Sequence, residues 1–241
     1  DLNNVYGFET LTLALTAPAS WVLADSVIAS GVTLNVTQSN NFSLNLDASA
    51  ETDGKLSVTA NGSSAHTVIG GAGADTITMA ASATGANKIT GGAGADTIAM
   101  GGSSSGVVYL INPTDSTTSS YDSITGFHSG FDRIDLSAAS LNRTFAVAAN
   151  VTAVAGTTNG IAAGKFTFDK AAATSLSNAI SKVGQDVKTS GNAVVFTYGS
   201  DVYFFADMDN TSATSSDILI KLTGATMTDL VASGESFAMA L

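Results

Sequence analysis

"GGAGADTITMAASATGANKITGGAGADTIAM", residues 70–100, carries the octet GGAGADTI twice, beginning at Gly70 and again at Gly91. Laying residues 61–81 over 82–102 matches the chain almost column by column: Val68 over Ile89, Asp75 over Asp96, Ile77 over Ile98, Met79 over Met100. The period is 21 residues, and each unit divides into two halves, a polar turn followed by a short strand-like stretch. The second half has the full pattern G-G-x-G-x-D-x-apolar-x; the first half has His66 or Asn87 where the aspartate would fall. A short fixed period signals a solenoid, in which units bury a shared core only by stacking. A flexible glycine–alanine linker has no reason to keep aspartate, isoleucine and methionine in register over two copies.

The letters have physical reasons. Glycines at the first, second and fourth positions allow positive φ and let carbonyls turn toward an ion. Aspartate supplies a hard anionic oxygen, and a calcium shell of six to eight oxygens at ~2.4 Å needs donors from more than one turn. The apolar eighth position, Ile77 and Ile98, points into the coil. The nonapeptide resembles the calcium-binding RTX repeat. That resemblance implies an all-β fold, a parallel β-roll in which two nonapeptides complete one coil and calcium lies between stacked turns, held by backbone carbonyls and the aspartate. Under this register the turn at 70–75 stacks on that at 91–96, and 61–66 and 82–87 stack on the opposite side without an aspartate. One calcium site is therefore expected, using Asp75 and Asp96 with carbonyls of Gly70, Gly71, Ala72, Gly73, Gly91, Gly92, Ala93 and Gly94. The excess over the family's roughly 18-residue coil is expected to bulge near Met79, Ala80 and Ala81.

Composition agrees with cation binding. Acids outnumber bases 20 to 9, for a net charge of −11, which disfavours nucleic acid because that partner needs a basic footprint. Hydrophobic residues make up 44%, enough to bury a core and too many for a disordered acidic tail. There is no cysteine, so disulfides and thiolate metal sites are excluded. No apolar run approaches the ~20 residues of a membrane span. The chain opens at Asp1 inside a strand-like pattern and reads as the C-terminal part of a longer protein.

Upstream, "TLTLAL" (10–15), "VTLNV" (32–36), "FSLNL" (42–46) and "KLSVTA" (55–60) alternate apolar with polar or small residues, the mark of strands with one buried face. Residues 1–60 are thus an irregular β-solenoid leading into the RTX roll at 61–112. Asp47 and Asp53 are better read as solvated loop carboxylates than as ligands. Downstream, "YDSITGFHSGFDRIDLS" (121–137) resembles the segment that often follows RTX repeats. Phe127, Ile134 and Leu136 are expected to close the open end of the coil, within a capping segment over 113–165. The resemblance offers Asp122, Asp132 and Asp135 as calcium ligands, and turn or cap roles without metal stand equally for each.

Over 166–241 a small mixed C-terminal unit is expected. "ATSLSNAISKVGQDV" (173–187) places Leu176, Ala179, Ile180 and Val183 at helical spacing, so a helix is expected near 174–184, with Thr174 or Ser175 as N-cap and Gly184 at its end. "AVVFTYGSDVYFFADMD" (193–209) reads as a hairpin turning near 199–201, and "DILIKLTG" (217–224) as a third strand. Asp207, Asp209 and Asp217 flank a segment that starts like an EF-hand loop but lacks its glycine and its final acid, so an exposed polar turn is expected. The closing "ESFAMAL" fits loosely an uncleaved type I secretion signal.

No catalytic constellation is visible. Residues 102–106, GSSSG, satisfy G-x-S-x-G, but a strand follows where a nucleophile elbow requires a helix. His66 and His128 stand beside no evident acid or nucleophile, and His66 reads as a surface turn residue. Asp75 and Asp96 as a glycosidase carboxylate pair are disfavoured by their setting in repeated glycine turns. The RTX resemblance implies a calcium-dependent, secreted bacterial surface protein of the S-layer type, exported by the type I apparatus and assembling with copies of itself. A non-catalytic module of a secreted protease or lipase, or part of a large adhesin, is the alternative.

Overall fold

The computed structural model describes residues 9–80, 85–101, 106–128, 131–135, 160–162, 165–167, 173–186, 193–209, 211–225, 230–233 and 236–239. Among the described residues twelve strands build the roll: β1 (Thr10–Leu13), β2 (Ala19–Val22), β3 (Thr33–Gln38), β4 (Leu44–Asp47), β5 (Lys55–Ala60), β6 (Thr67–Ile69), β7 (Thr76–Met79), β8 (Asn87–Thr90), β9 (Thr97–Ala99), β10 (Val107–Leu110), β11 (Asp122–Thr125) and β12 (Arg133–Asp135). Odd-numbered strands lie side by side in one parallel sheet and even-numbered strands in a second. Each pass through both sheets is one coil of a parallel β-solenoid, as the repeat implies.

The register keeps the 21-residue period in both sheets. Thr76 pairs with Thr97 and Ile77 with Ile98 in one; Thr67 pairs with Lys88 and Val68 with Ile89 in the other. Elsewhere the coil length changes: Ser57 pairs with Thr76, and Thr97 with Ser123. Strands keep their pairing while turns absorb the difference. Ala80 N donates to Ala60 O at 2.9 Å, so the regular path continues through Ala80 rather than bulging at Met79; residues 81–84 lie outside the described residues.

Alternation decides the core. Leu34, Val36, Leu44, Leu46, Leu56, Val58, Val68, Ile77, Ile89, Ile98, Ile124 and Ile134 point inward and are at most 1% exposed. Fully burying one such side chain contributes about 1.5–3 kcal/mol, and stacking one per strand per coil holds the roll together. The lead-in over β1–β5 shares this core and these sheets.

The C-terminal part adds β13 (Gly160–Ala162), β14 (Lys165–Thr167), α1 (Leu176–Asp186), β15 (Ala193–Tyr198), β16 (Asp201–Ala206), β17 (Ile218–Thr223), β18 (Leu230–Ser233) and β19 (Ser236–Met239). The hairpin β15–β16 turns at Gly199 and Ser200, and β17 runs antiparallel to β16 and parallel to β11. Its "ILIKL" is buried on both faces. Ile218, Ile220 and Leu222 continue the roll's core, while Leu219 packs with Phe205, Tyr203 and the α1 residues Ala179 and Val183. The end of the roll is therefore covered by β17 on one sheet and, on the other, by β19, antiparallel to β12. Phe127 and Ile134 are buried, Ile134 as a core residue of β12; Leu136 lies outside the described residues. Ser175 is the helix cap, its Oγ accepting from Asn178 N at 3.1 Å. Gly184 does not end the helix. It lies inside α1, which runs on to Asp186, and packs against Ala213: a Cβ there would stand 2.3 Å from Ala213 N.

Candidate metal centre

Three turns on one edge of the roll, linking β4 to β5, β6 to β7 and β8 to β9, stack in contact. Ala72 N donates to Glu51 O and Gly70 N to Thr90 O, both at 2.9 Å. A Cβ on Gly73 would lie 2.1 Å from Gly54 O, and one on Gly70 2.1 Å from Gly91 O. The glycines thus have two separate reasons. Gly92 and Gly94 adopt φ of 92° and 127°, a region that favours glycine. Gly70, Gly71 and Gly73 are required by backbone-to-backbone approach instead, and Gly91 by the side chains of Asp96 and Tyr109 that lie against it.

The aspartates fasten one coil to the next. Asp75 Oδ1 accepts from Leu56 N (2.8 Å) and its Oδ2 from Gly71 N (2.9 Å). Asp96 Oδ1 accepts from Asp75 N (2.8 Å), and Asp122 Oδ1 from Asp96 N (3.0 Å). All three are buried, and Asp96 Oδ2 has no hydrogen-bond partner. Tyr109, fully buried on β10, reaches across the core and donates its hydroxyl to Asp122 Oδ2 at 2.5 Å. Asp115, also buried, stands in the turn before β11 and accepts from Asn112 N and Nδ2.

No base among the described residues forms an ion pair with this column. Among the described residues the ion pairs are His128 with Asp132 and Lys221 with Asp201. Burial, then the charge of Asp122, pushes Asp96 up to about 8. Burial pushes Asp122 up to about 7 against the opposing hydrogen bond from Tyr109, and raises Asp75 as well. Tyr109 is driven well above its ordinary value by burial and by Asp122. A carboxyl raised as far as Asp96 holds its proton at neutral pH unless a cation takes the proton's place.

The remaining aspartates divide. Asp132 lies on the opposite edge, with Oδ1 accepting from Val107 N (2.8 Å) and Oδ2 from His128 N (2.7 Å). Asp135 is half-buried on β12, opposite Ser236 of β19. Among the described aspartates of the 121–137 segment, Asp122 is thus the one that joins the column of Asp75 and Asp96. His66 is not a surface residue: it is 1% exposed, its Nδ1 accepts from Leu44 N at 3.1 Å, and burial lowers its pKa. Asp207 and Asp217 are likewise fully buried rather than part of an exposed turn, and with exposed Asp209 they bring carboxylate oxygens within 4.8 Å of one another.

Sequence reasoning missed Tyr109, Glu51 and Asp115. Counting one coil beyond 91–96 points to the turn at 112–122, and so to Asp115. Nothing in "VVYLI" reveals the partner of the tyrosine hydroxyl.

These groups fit a hard divalent cation. They are oxygen donors, buried and unneutralised, with the unpartnered Asp96 Oδ2 among them and with stacked glycine turns that no Cβ could enter. A two-sheet parallel roll with such turns on its edge defines an RTX-type calcium-binding repeat module. The family model for the Peptidase M10 serralysin C terminal matches residues 37–176, more than half of the chain, and the chain belongs to that family. The matched region is a non-catalytic repeat region, of the kind that serves as the calcium-binding module of type I-secreted proteins. No curated protein matches the chain. Among the described residues no helix is long and apolar enough to cross a membrane.

Proposed function

We propose that this chain is a structural, calcium-binding C-terminal portion of a secreted bacterial cell-surface (S-layer) protein, which folds on calcium outside the cell and assembles with neighbouring copies of itself. The observation that carries the calcium-dependent part is the buried column of Asp75, Asp96 and Asp122, stitched coil to coil and paired with no base among the described residues. Calcium, when bound, supplies the positive charge this column lacks. Asp75 and Asp96, with carbonyls of the 70–73 and 91–94 turns, are the residues that would hold it.

The chain's own residues explain the switch. Where calcium is scarce, as during passage through the type I apparatus, Asp96 and Asp122 repel one another and resist burial as anions, which disfavours the stacked turns. Where calcium is plentiful, binding free energy becomes folding free energy. The surface-lattice reading is supported by a lead-in that shares the roll's sheets and core from β1 onward, giving a long continuous scaffold. The domain divisions at 60, 112 and 165 remain part of this proposal. The family's printed description favours a second reading, the non-catalytic C-terminal module of a secreted peptidase.

Refolding from denaturant, followed by circular dichroism, is expected to require calcium in the wild type and to need a higher concentration in D75N/D96N. Equal refolding in a chelator would overturn the calcium reading. Electron microscopy of the folded protein separates the carriers: calcium-dependent two-dimensional arrays support the surface protein, and dispersed particles the secreted-enzyme module.

A further inference from the structure

A second acidic group lies outside the repeats, one coil earlier on the same edge. Asp25 sits in a short 3-10 turn (Asp25–Val27) between β2 and β3; Glu51 and Asp53 sit in the next turn of that edge, between β4 and β5. Neither turn has the glycine spacing of the nonapeptide, and Asp25 falls outside the family match at 37–176. The three carboxylates bring oxygens within 4.8 Å of one another. Thr52 holds the two turns together, donating its N–H (2.8 Å) and Oγ1 (2.6 Å) to Asp25 Oδ1.

Glu51 distinguishes this group from an ordinary solvated cluster. It is 2% exposed. Its Oε1 accepts from Gly54 N at 2.8 Å and from Asp53 N at 3.3 Å, which accounts for a turn-capping role. Its Oε2 is buried and has no hydrogen-bond partner, and capping does not account for that. A buried carboxylate oxygen without a donor is costly unless something positive meets it. No basic side chain among the described residues pairs with any of the three acids.

We propose that Asp25, Glu51 and Asp53 form a separate site for a hard divalent cation of the calcium class, tying the lead-in coil to the coil that carries the repeats. Hard oxygen donors of this number and charge suit calcium, whose remaining positions water fills. The site takes no ligand from Asp75 or Asp96, and its occupancy would clamp 25–27 to 51–54 where no repeat glycine does so.

Equilibrium dialysis against radiolabelled calcium, on the full chain, tests this. D96N is expected to keep one class of bound calcium that D96N/E51Q loses, with affinity at that site falling about tenfold or more. Glutamine retains the acceptor for Gly54 N, so folding is checked by circular dichroism. If E51Q does not fold, D25N, at an exposed position and with an oxygen kept for Thr52, is expected to give the same loss. Identical binding by D96N and D96N/E51Q, or by D96N and D96N/D25N where E51Q is unfolded, overturns the proposal and leaves the repeat site untouched. Loss of all calcium in E51Q with none lost in D96N would support it while overturning the repeat site.

Discussion

On one edge of the roll Asp75, Asp96 and Asp122 each reach back one coil and accept the amides of Leu56, Asp75 and Asp96. On the other edge His66, Asn87 and Asp132 do the same for Leu44, His66 and Val107. The rung itself needs only an acceptor near the start of each strand, and imidazole nitrogen, amide oxygen and carboxylate all serve. The edges differ in charge and in glycine. The acidic edge stacks 70–75 on 91–96 with backbones in contact and gathers buried carboxyls. At the positions of the opposite edge, 61–66 and 82–87 carry only Gly62 and Gly85. The sixth position of the repeat therefore has two separable roles: a structural rung on both edges, and a cation ligand, under the reading proposed above, on one.

Glycine replacement at the acidic edge should give the largest effect. G70A would put a Cβ 2.1 Å from Gly91 O, and G91A one 2.2 Å from Asp96 Oδ2. Because the obstacle at Gly70 is backbone, the turns must separate, and a loss of about 3–5 kcal/mol is expected in thermal or denaturant melts. G199A serves as the control. Gly199 has φ +66° but meets nothing within 4 Å, so only the left-handed strain of about 1–2 kcal/mol applies. Equal losses at the three positions would mean that stacking contact does not select the repeat glycines.

Charge can then be separated from the rung. D96N keeps an oxygen for Asp75 N but removes the anion. In calcium it should destabilise the protein by about 2 kcal/mol through lost ion binding; in calcium-free buffer near pH 8 it should match or exceed wild type, because a repelled buried charge is gone. N87D, on the other edge, should destabilise in both buffers. The pH profile sharpens the contrast. Asp96 and Asp122 have folded values of about 8 and about 7, above the ordinary 3.8. In the ion-free protein their contribution is fully present below about pH 4 and is lost as pH rises through 7 and 8. Melting temperature without calcium should thus fall with rising pH, whereas with calcium the acidic limb should be the weaker one, since protons compete for the ligands. Parallel profiles with and without calcium would count against a cation at this edge.

Much of this was readable from residues. The period of Val68, Ile77, Ile89 and Ile98 gives the coil, and the alternating lead-in strands fall into the same two sheets. The stacking of 70–75 on 91–96 follows from counting 21 residues. What could not be read depended on partners distant in sequence. His66 looks like a polar turn residue until the amide of Leu44, on a neighbouring coil, is seen to require its nitrogen. The pairing of β17 with β11 spans roughly a hundred residues and leaves only a hint, the three consecutive apolar residues of "ILI" at 218–220. Gly184 resembles a helix stop because glycine usually is one; here it accommodates Ala213, which pattern alone cannot foresee. Asp122 was offered by its segment, but the coil there is 26 residues rather than 21, so counting falls short at 117 and only the bond from Asp96 N places Asp122 beneath Asp96.

The smallest expected effect concerns α1, which belongs to neither edge. Ser175 Oγ accepts from Asn178 N, and the helix packs on the outer face of β15–β17 through Ala179, Ile180 and Val183. S175A removes a single cap, costing about 1 kcal/mol. Because β17 is shared between the helix-facing cluster and the roll's core, that loss should lower the melting temperature slightly in calcium and in its absence alike. Calcium affinity, read by titration, should not move, since no acidic rung touches the helix cap. A shift in affinity with S175A would mean that the outer layer biases the acidic column through β11, where Asp122 begins the strand beside β17.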